Sequence, residues 1–564
     1  MKFYFGLILF FSLSFGQTKI SENYFILPLD IPMQLSGNFG ELRPNHFHAG
    51  FDFKTNQREG LNIYAAADGY VSRIKISNVG YGKALYVTHA NGYTTVYGHL
   101  QKAAGLIENK IIEQQYAAKS YEIETFFKPG DLVVKKGDVI AISGNTGGSD
   151  GPHLHFEIRD NKTEKTINPL LFGLNLKDTK SPQISTVMVY PMDANSVVNE
   201  SKRPIALNLS LQADGTYLAD RVLATGKIGF GFTATDFDDV SYNSNGIYKA
   251  ELLSNGSSIY GFQYDNLIFD EGRLINTFID FSRYKKTRQR VQKLFMKNNF
   301  QWSNITSNVQ NGLIDVIPNF SQLLQIYVAD FNGNKVTLFI PVSYSIQKTI
   351  IATDEIITPY YLKAKNDNMY EKENWTVSFP ANTFYDDFYL NLDLLNNVFK
   401  VHDDLVAVHS NFTVSVTEPK TDLKNVLRTF IASVNGTKLY YIPTYFKGTT
   451  FSCRTKNLGE FKLAQDTIAP KIIITKSIQD KDISSQKQIK LTVSDDFSGI
   501  KTYNGYLNDN WILMEYESKL RRLTYTFDDK FLADGLNKLK VIVTDNVGNS
   551  TTFETQFIKT LQIQ

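Results

Sequence analysis

The chain is predicted to be mainly β: an N-terminal antiparallel β-sheet domain followed by β-sandwiches. Three observations lead there. Tyr and Phe are abundant, 31 and 40 of 564 residues, and aromatic side chains favour strands. Apolar and polar residues alternate over short runs, as in "FYLNLDLL" and "FTVSVTEP", which suits half-buried strands. Part of the chain also repeats. "DTKSPQI" at Asp178 echoes "DTIAPKI" at Asp466, "TATDFDD" at Thr233 echoes "TVSDDFSG" at Thr492, and "YVADFNGNKVTLFI" at Tyr327 echoes "IVTDNVGNSTTFET" at Ile542. Matches in the same order imply two copies of one sandwich unit, the first carrying a long insertion. Asp-x-x-Gly-Asn is a turn sequence between strands, so this echo reads as structural, ahead of a calcium reading of Asp495, Asp496 and Asp545.

Taken in order, the elements begin with an address. Lys2, an apolar run from Phe3 to Phe15 and then Gly16 predict a secretory signal over residues 1–16. The run is too short to span a bilayer comfortably, and no later segment reads as transmembrane. An anchored or core helix is the alternative. The first domain is placed at 17–177. In it "ALYVTHANGYTTVYGHL" reads as a hairpin closed by Asn91-Gly92, with Tyr93, Thr95, Tyr97 and His99 on one face. A helix is expected from Leu106 to Ala118, with Ile107, Ile111 and Ala118 along one side. "PGDLVVKKGDVIAISGNTGG" then returns to short strands broken by glycines. Sandwich units are placed at 178–345 and 466–564, with a third β-rich domain between them at 346–465. The only cysteine, Cys453, has no internal partner and reads as a buried apolar residue. The formal net charge of +2 gives no reason to expect nucleic acid as a partner.

The chemistry concentrates in the first domain. In "GPHLHFEI" His153 and His155 occupy alternate positions of a strand, so they share a face about 6–7 Å apart. Upstream, "RPNHFHAGFDF" holds His48 and Asp52 four residues apart. That is too far for one metal in a straight strand, so a bend at Gly50 is expected to bring both to one point. His48, Asp52 and one of the downstream pair make a borderline-soft set that suits tetrahedral Zn²⁺. Three protein ligands leave the fourth position to water, the catalytic arrangement. The other downstream histidine and His99 are then free for proton transfer and oxyanion stabilisation. The bland alternative is a set of surface or satisfied core histidines.

At these residues the chain resembles the lysostaphin/LytM-type zinc endopeptidases. H-x-x-x-D, "YGHL" and "GNTGGSDGPHLHFEI" stand in that family's order, with "YAAADGYVSRI" and "GDLVVKKGDVIAISGNTG" between them, over about residues 36–173. The resemblance implies zinc ligands His48, Asp52 and His155, and a catalytic pair His99 and His153. It also implies a compact antiparallel sheet with a groove over the zinc, and peptide bonds of peptidoglycan stem peptides or cross-bridges as substrate. One departure is the long segment 101–127, expected either to wall the groove or to be a surface decoration. The two repeated units resemble bacterial immunoglobulin-like modules.

Around this set, His46 is expected at the rim, His89 exposed beside its turn, and His402 and His409 structural. Arg43 and Asn45 are candidates to line the site. Glu157 is expected to point away from the face carrying His153 and His155. The functional expectation is a secreted zinc metallo-endopeptidase, periplasmic or extracellular, with the periplasm favoured because no wall-anchoring tail is recognisable. The rival is a non-catalytic or autoinhibited wall-binding protein whose insert or C-terminal sandwiches occlude the groove.

Overall fold

A computed structural model describes residues 23–297, 300–418, 425–528 and 530–560; the expected signal segment at 1–16 lies outside them. Strands make up 49% and helices 8%, so the chain is mainly β. The N-terminal sheet is built from β1 (Leu35–Gly37), β2 (Phe51–Lys54), β3 (Gly69–Ile76), β4 (Lys83–His89), β5 (Tyr93–Gly98), helix α1 (Gly105–Ala118), β6 (Ile123–Phe126) and β7 (His153–Asp160). Its strand order is β1-β2-β7-β5-β4-β3-β6, antiparallel throughout.

Register decides which residues face the core. Leu85 lies opposite Tyr97, Tyr97 opposite Phe156, and Phe156 opposite Phe51, a row of apolar side chains crossing four strands. All four are essentially inaccessible to water. Side chains on neighbouring strand positions point to opposite faces. The residues one step away, Gly98, His155 and Asp52, therefore share the other face. Burying the aromatic row forces the polar set outward as a group. The β4–β5 hairpin closes at Asn91-Gly92, where Gly92 takes φ +87°, a conformation glycine adopts without strain.

Helix α1 buries Ile107, Ile111 and Gln115, a spacing of four. The expected inward position of Ala118 does not hold. Ala118 is exposed, and Gln115 faces inward with its Nε2 donating to the carbonyl of Tyr121 at 2.7 Å. Lys119 then ends the helix in the left-handed conformation. The outer side of α1 carries Tyr116, which meets the C-terminal unit. Tyr116 donates to Asp528, lies edge-on to Trp511 at 5.5 Å, and has the Lys530 ammonium 3.9 Å from its ring centre. The 101–127 segment is thus a platform for a distant part of the chain.

The repeat seen in the sequence is a repeat in space. Gln183 pairs with Thr235 as Lys471 pairs with Ser494. In the hairpin turns, the Asn334 backbone N–H donates to Asp330 and the Asn549 N–H to Asp545, each at 2.8 Å. The side chains of those asparagines reach back to the carbonyls of Asp178 and Asp466 at 3.2 and 3.0 Å. Between the two copies lie a pair of five-stranded sheets covering Asn368–Gln465, with Cys453 fully buried between them, as expected. No helix among the described residues is long and apolar enough to cross a membrane.

Candidate active site

Four short segments converge on the outer face of the N-terminal sheet. β2 brings Asp52 and β7 brings His153 and His155. The turn before β2 brings His48, and the residue after β5 is His99. His48 Nε2 lies 3.1 Å from Asp52 Oδ1 and 3.2 Å from His155 Nδ1, and that nitrogen lies 2.9 Å from Asp52 Oδ1. The approach of His48 to Asp52 depends on Gly50, though not through a glycine-only φ. A Cβ at Gly50 would stand 2.2 Å from the carbonyl oxygen of Phe156, so only a residue without a side chain lets this turn pack against β7.

The three donor atoms fit one metal ion. Zn–N and Zn–O bonds of about 2.0–2.1 Å place tetrahedral ligands about 3.3 Å apart, close to the separations found here. The outer atoms of each ligand are already engaged. His48 Nδ1–H donates to the Asn38 carbonyl at 2.8 Å, which turns Nε2 toward the site. His155 Nε2–H donates to Glu157 at 2.8 Å, which turns Nδ1 the same way. Asp52 gives its Oδ2 to Arg43 at 3.1 Å and keeps Oδ1 for the centre. Such outer partners fix tautomer and orientation in metal sites.

Electrostatics agree with that reading. Burial alone would raise Asp52, but His48, His153 and His155 hold its carboxyl well below the usual range. Burial would lower His155, yet Asp52 and Glu157 on either side raise it to about 9. A ring held between two carboxylates calls for a positive charge. Burial would raise Glu157, but Arg159, His155 and Tyr81 bring it to about 2. The Arg159 Nε donates to Glu157 at 2.6 Å and the Tyr81 hydroxyl donates to the same carboxylate, while the Tyr81 ring stacks on His155 at 4.8 Å.

His99 and His153 stand beside the trio, their ring centres 4.6 Å apart. His153 Nδ1–H donates to the Gly151 carbonyl at 2.9 Å, and its Nε2 is 3.4 Å from Asp52 Oδ1. His99 Nδ1–H donates to the Thr146 carbonyl at 2.8 Å. Burial, with His153 and His155 nearby, pushes His99 down to about 3, so its Nε2 is a free base. His99 does not share the face of Tyr97, as the strand alternation implied. Its φ of +58° turns the chain after Gly98 and swings the ring to the His155 side. A non-glycine residue held in this region at a site is strain maintained by its surroundings; here the His99 N–H bond to the Tyr81 carbonyl at 2.8 Å helps hold it.

Two further expectations need correction. Glu157 lies on the same face as His153 and His155, because positions 153, 155 and 157 alternate twice along one strand. His89 is buried, its ring nitrogens bonded to the Asp68 carbonyl and Thr95 hydroxyl at 2.8 Å each. His46 sits on the rim as expected, its Nδ1 3.0 Å from the Pro44 carbonyl. His402 and His409 bond to the Asn391 backbone and the Tyr385 hydroxyl. Arg43 reaches the site, whereas Asn45 bonds Asn276 instead. The functional contributions missed in the sequence are Glu157 and the carbonyls of Asn38, Thr146 and Gly151. Carbonyls have no sequence signature, but the period of two along "HLHFEIRD" already placed Glu157.

Above the trio runs a groove of about 910 Å³. Its lining comes from residues 34–155 and from Asn243 of the following unit; neither the 101–127 insert nor the C-terminal unit lines it.

His48, Asp52 and His155, all buried, bring three donor atoms within reach of one metal ion, with the imidazoles of His99 and His153 beside them. Comparison places this site further: residues 46–121 and 112–169 match the model of Peptidase family M23, so the chain carries a domain of that family. Residues 359–466 match a Zu5-like domain. An uncharacterized metalloprotease of Haemophilus influenzae is 37% identical over 135 residues, 24% of this chain and 22% of that protein. The peptidoglycan DD-endopeptidase ShyC of Vibrio cholerae is 31% identical over 144 residues, 24% of this chain and 27% of that protein. The chain thus spans about a quarter of the length of these relatives. The catalytic domain of the antimicrobial peptidase lysostaphin from Staphylococcus simulans aligns at 25% identity over 25% of this chain and 91% of that one, with a TM-score of 0.19.

Proposed function

We propose that the protein is a zinc metallo-endopeptidase that hydrolyses peptide cross-links of bacterial peptidoglycan, exported by its N-terminal segment to reach that substrate. The observation that carries this reading is the convergence of His48 Nε2, Asp52 Oδ1 and His155 Nδ1, each with its outer atoms already bonded. Zinc held there supplies the Lewis acidity that activates water and polarises a carbonyl near neutral pH. The remaining work belongs to the chain. The Nδ1 atoms of His99 and His153 are tied to carbonyls, so both present Nε2 to the reacting space. One can accept a proton from the attacking water and, once protonated, return it to the leaving amine. The imidazolium formed in that step carries an Nε2–H that can donate to the oxyanion of the tetrahedral intermediate before the proton passes on, while the second imidazole can accept from the attacking water. The groove, open to solvent and rimmed by Arg43, His46 and Asn243, accommodates an extended peptide. Similarity to a peptidoglycan DD-endopeptidase supports the choice of substrate.

The test is digestion of purified sacculi and defined muropeptides by the full chain, with mass spectrometry of the products. His155→Ala is expected to lose both metal and turnover. His153→Ala is expected to keep its metal and lose turnover by about 10²–10⁴-fold. A His153→Ala protein that cleaves at the wild-type rate removes that residue from the chemistry.

A further inference from the structure

The repeated units hold a second kind of oxygen-rich centre. In the first copy Asp178, Asp236 and Asp330 come from three separate segments, each offering a carboxylate oxygen within 4.8 Å of the others. In the second copy Asp466, Asp495 and Asp545 do the same at equivalent positions. The copies differ in what satisfies the middle carboxylate. Asp495 accepts backbone N–H groups from Phe497 and Gly499 at 3.0 and 2.7 Å. Asp236 is only 4% exposed, and its Oδ1 has no hydrogen-bond partner. No cationic side chain is among the groups acting most strongly on Asp178 or Asp236.

A fourth oxygen points to a ligand independently. Asn245 is 7% exposed, and its Nδ2 donates to Asp238 at 3.0 Å, which fixes the amide's orientation. The Oδ1 on the other side of that amide has no partner. Asn245 lines the same cavity of about 40 Å³ as the three aspartates. Asp178 already accepts from the Lys180 N–H at 2.9 Å and Asp330 from Asn334, but Asp236 Oδ1 and Asn245 Oδ1 have no donor, and a buried acceptor without one costs about 1–3 kcal/mol.

We infer that Asp178, Asp236, Asp330 and the Asn245 side-chain oxygen form a binding site for a hard divalent cation of the calcium class. Carboxylates and an amide carbonyl are the donors calcium prefers, and the three carboxylates bring oxygens no more than 4.8 Å apart, the span of two Ca–O bonds of about 2.4 Å. Asp178 is only partly buried, which leaves a route for the ion and room for water ligands. The site borders the catalytic domain. Gly246, next to Asn245, exchanges two hydrogen bonds of 2.8 Å with the Asn38 side chain. The Asn38 carbonyl is the one that orients His48. The ion would brace the contact between the sandwich and the support of a zinc ligand.

The experiment is calcium binding by the zinc-loaded full chain near pH 7.5, by equilibrium dialysis and by thermal unfolding. The wild type is expected to bind calcium and to unfold at a higher temperature in its presence. Asp236→Asn is expected to bind one equivalent fewer and to lose most of that shift, whereas Asp495→Asn retains both. Asn245→Leu, which removes the amide oxygen and keeps the bulk, is expected to weaken binding about tenfold, and it serves if Asp236→Asn does not fold. Failure of the wild type to bind millimolar calcium overturns the site, as does wild-type stoichiometry in Asp236→Asn or in Asn245→Leu at unchanged affinity.

Discussion

At the scale of single residues, Glu157 does more than its neighbours suggest. It accepts from His155, Arg159 and Tyr81 while wholly shielded from water. Glu157→Gln keeps the shape and removes the charge. Metal affinity is expected to fall about 10–100-fold, because the carboxylate no longer raises the basicity of His155. Stability is expected to fall by no more than ~3 kcal/mol, since Arg159 keeps Glu164 at 3.1 Å when its inner partner is lost. Metal competition with a chelator and urea unfolding read the two effects. Unchanged affinity would show that His155 needs no such support. The five motif positions were legible in the sequence because each combines a distinctive chemistry with a fixed spacing. The anchors of those side chains were not, since Asn38, Thr146 and Gly151 act through backbone carbonyls that any residue carries. The orientation of His99 was also hidden: alternation puts it beside Tyr97, and only the left-handed backbone after Gly98 moves it.

At the scale of elements, the turns of the repeated units set a pH dependence. Burial, then Asp178 and Asp330, raise the Asp236 carboxyl from 3.8 to about 8. A group whose folded pKa is raised stabilises the fold below its unfolded value, and that stabilisation disappears as pH rises through the folded value. In calcium-free buffer the unfolding temperature is therefore expected to decline as pH rises from about 4 to about 8, relative to Asp236→Asn. A wild type that tracks Asp236→Asn across that range would show that Asp236 is not held protonated. The repeat itself could be read from the sequence because its turns need Asp, Gly and Asn at set places. That one copy leaves Asp236 Oδ1 and Asn245 Oδ1 without donors could not be read. Helix α1 shows the same limit. Its existence follows from Ile107 and Ile111, but its partner surface lies about four hundred residues downstream.

At the scale of the whole molecule, the C-terminal unit reaches back to the catalytic domain. Lys519 Nζ donates to the carbonyls of Asn145 and Ser149 at 2.5 and 2.7 Å, and Lys83 pairs with Glu515 at 3.1 Å. Residues 145–149 belong to the glycine-rich stretch just before His153, and Ser149 Oγ lies 3.1 Å from His153 Nδ1. Lys519 is exposed, so its loss is expected to change global stability by less than ~1 kcal/mol. Lys519→Ala is expected instead to speed amide hydrogen exchange over residues 145–151 and to lower turnover while metal content stays constant. Exchange unchanged in that stretch would show that the lysine does not steady it. The order of synthesis gives this contact a further meaning. A chain made from its N-terminus has every metal donor in hand once β7 is complete, yet the segment leading into His153 waits for residue 519. Competence to hold the ion and full catalytic poise are acquired at different times, the second only once residue 519 has been made.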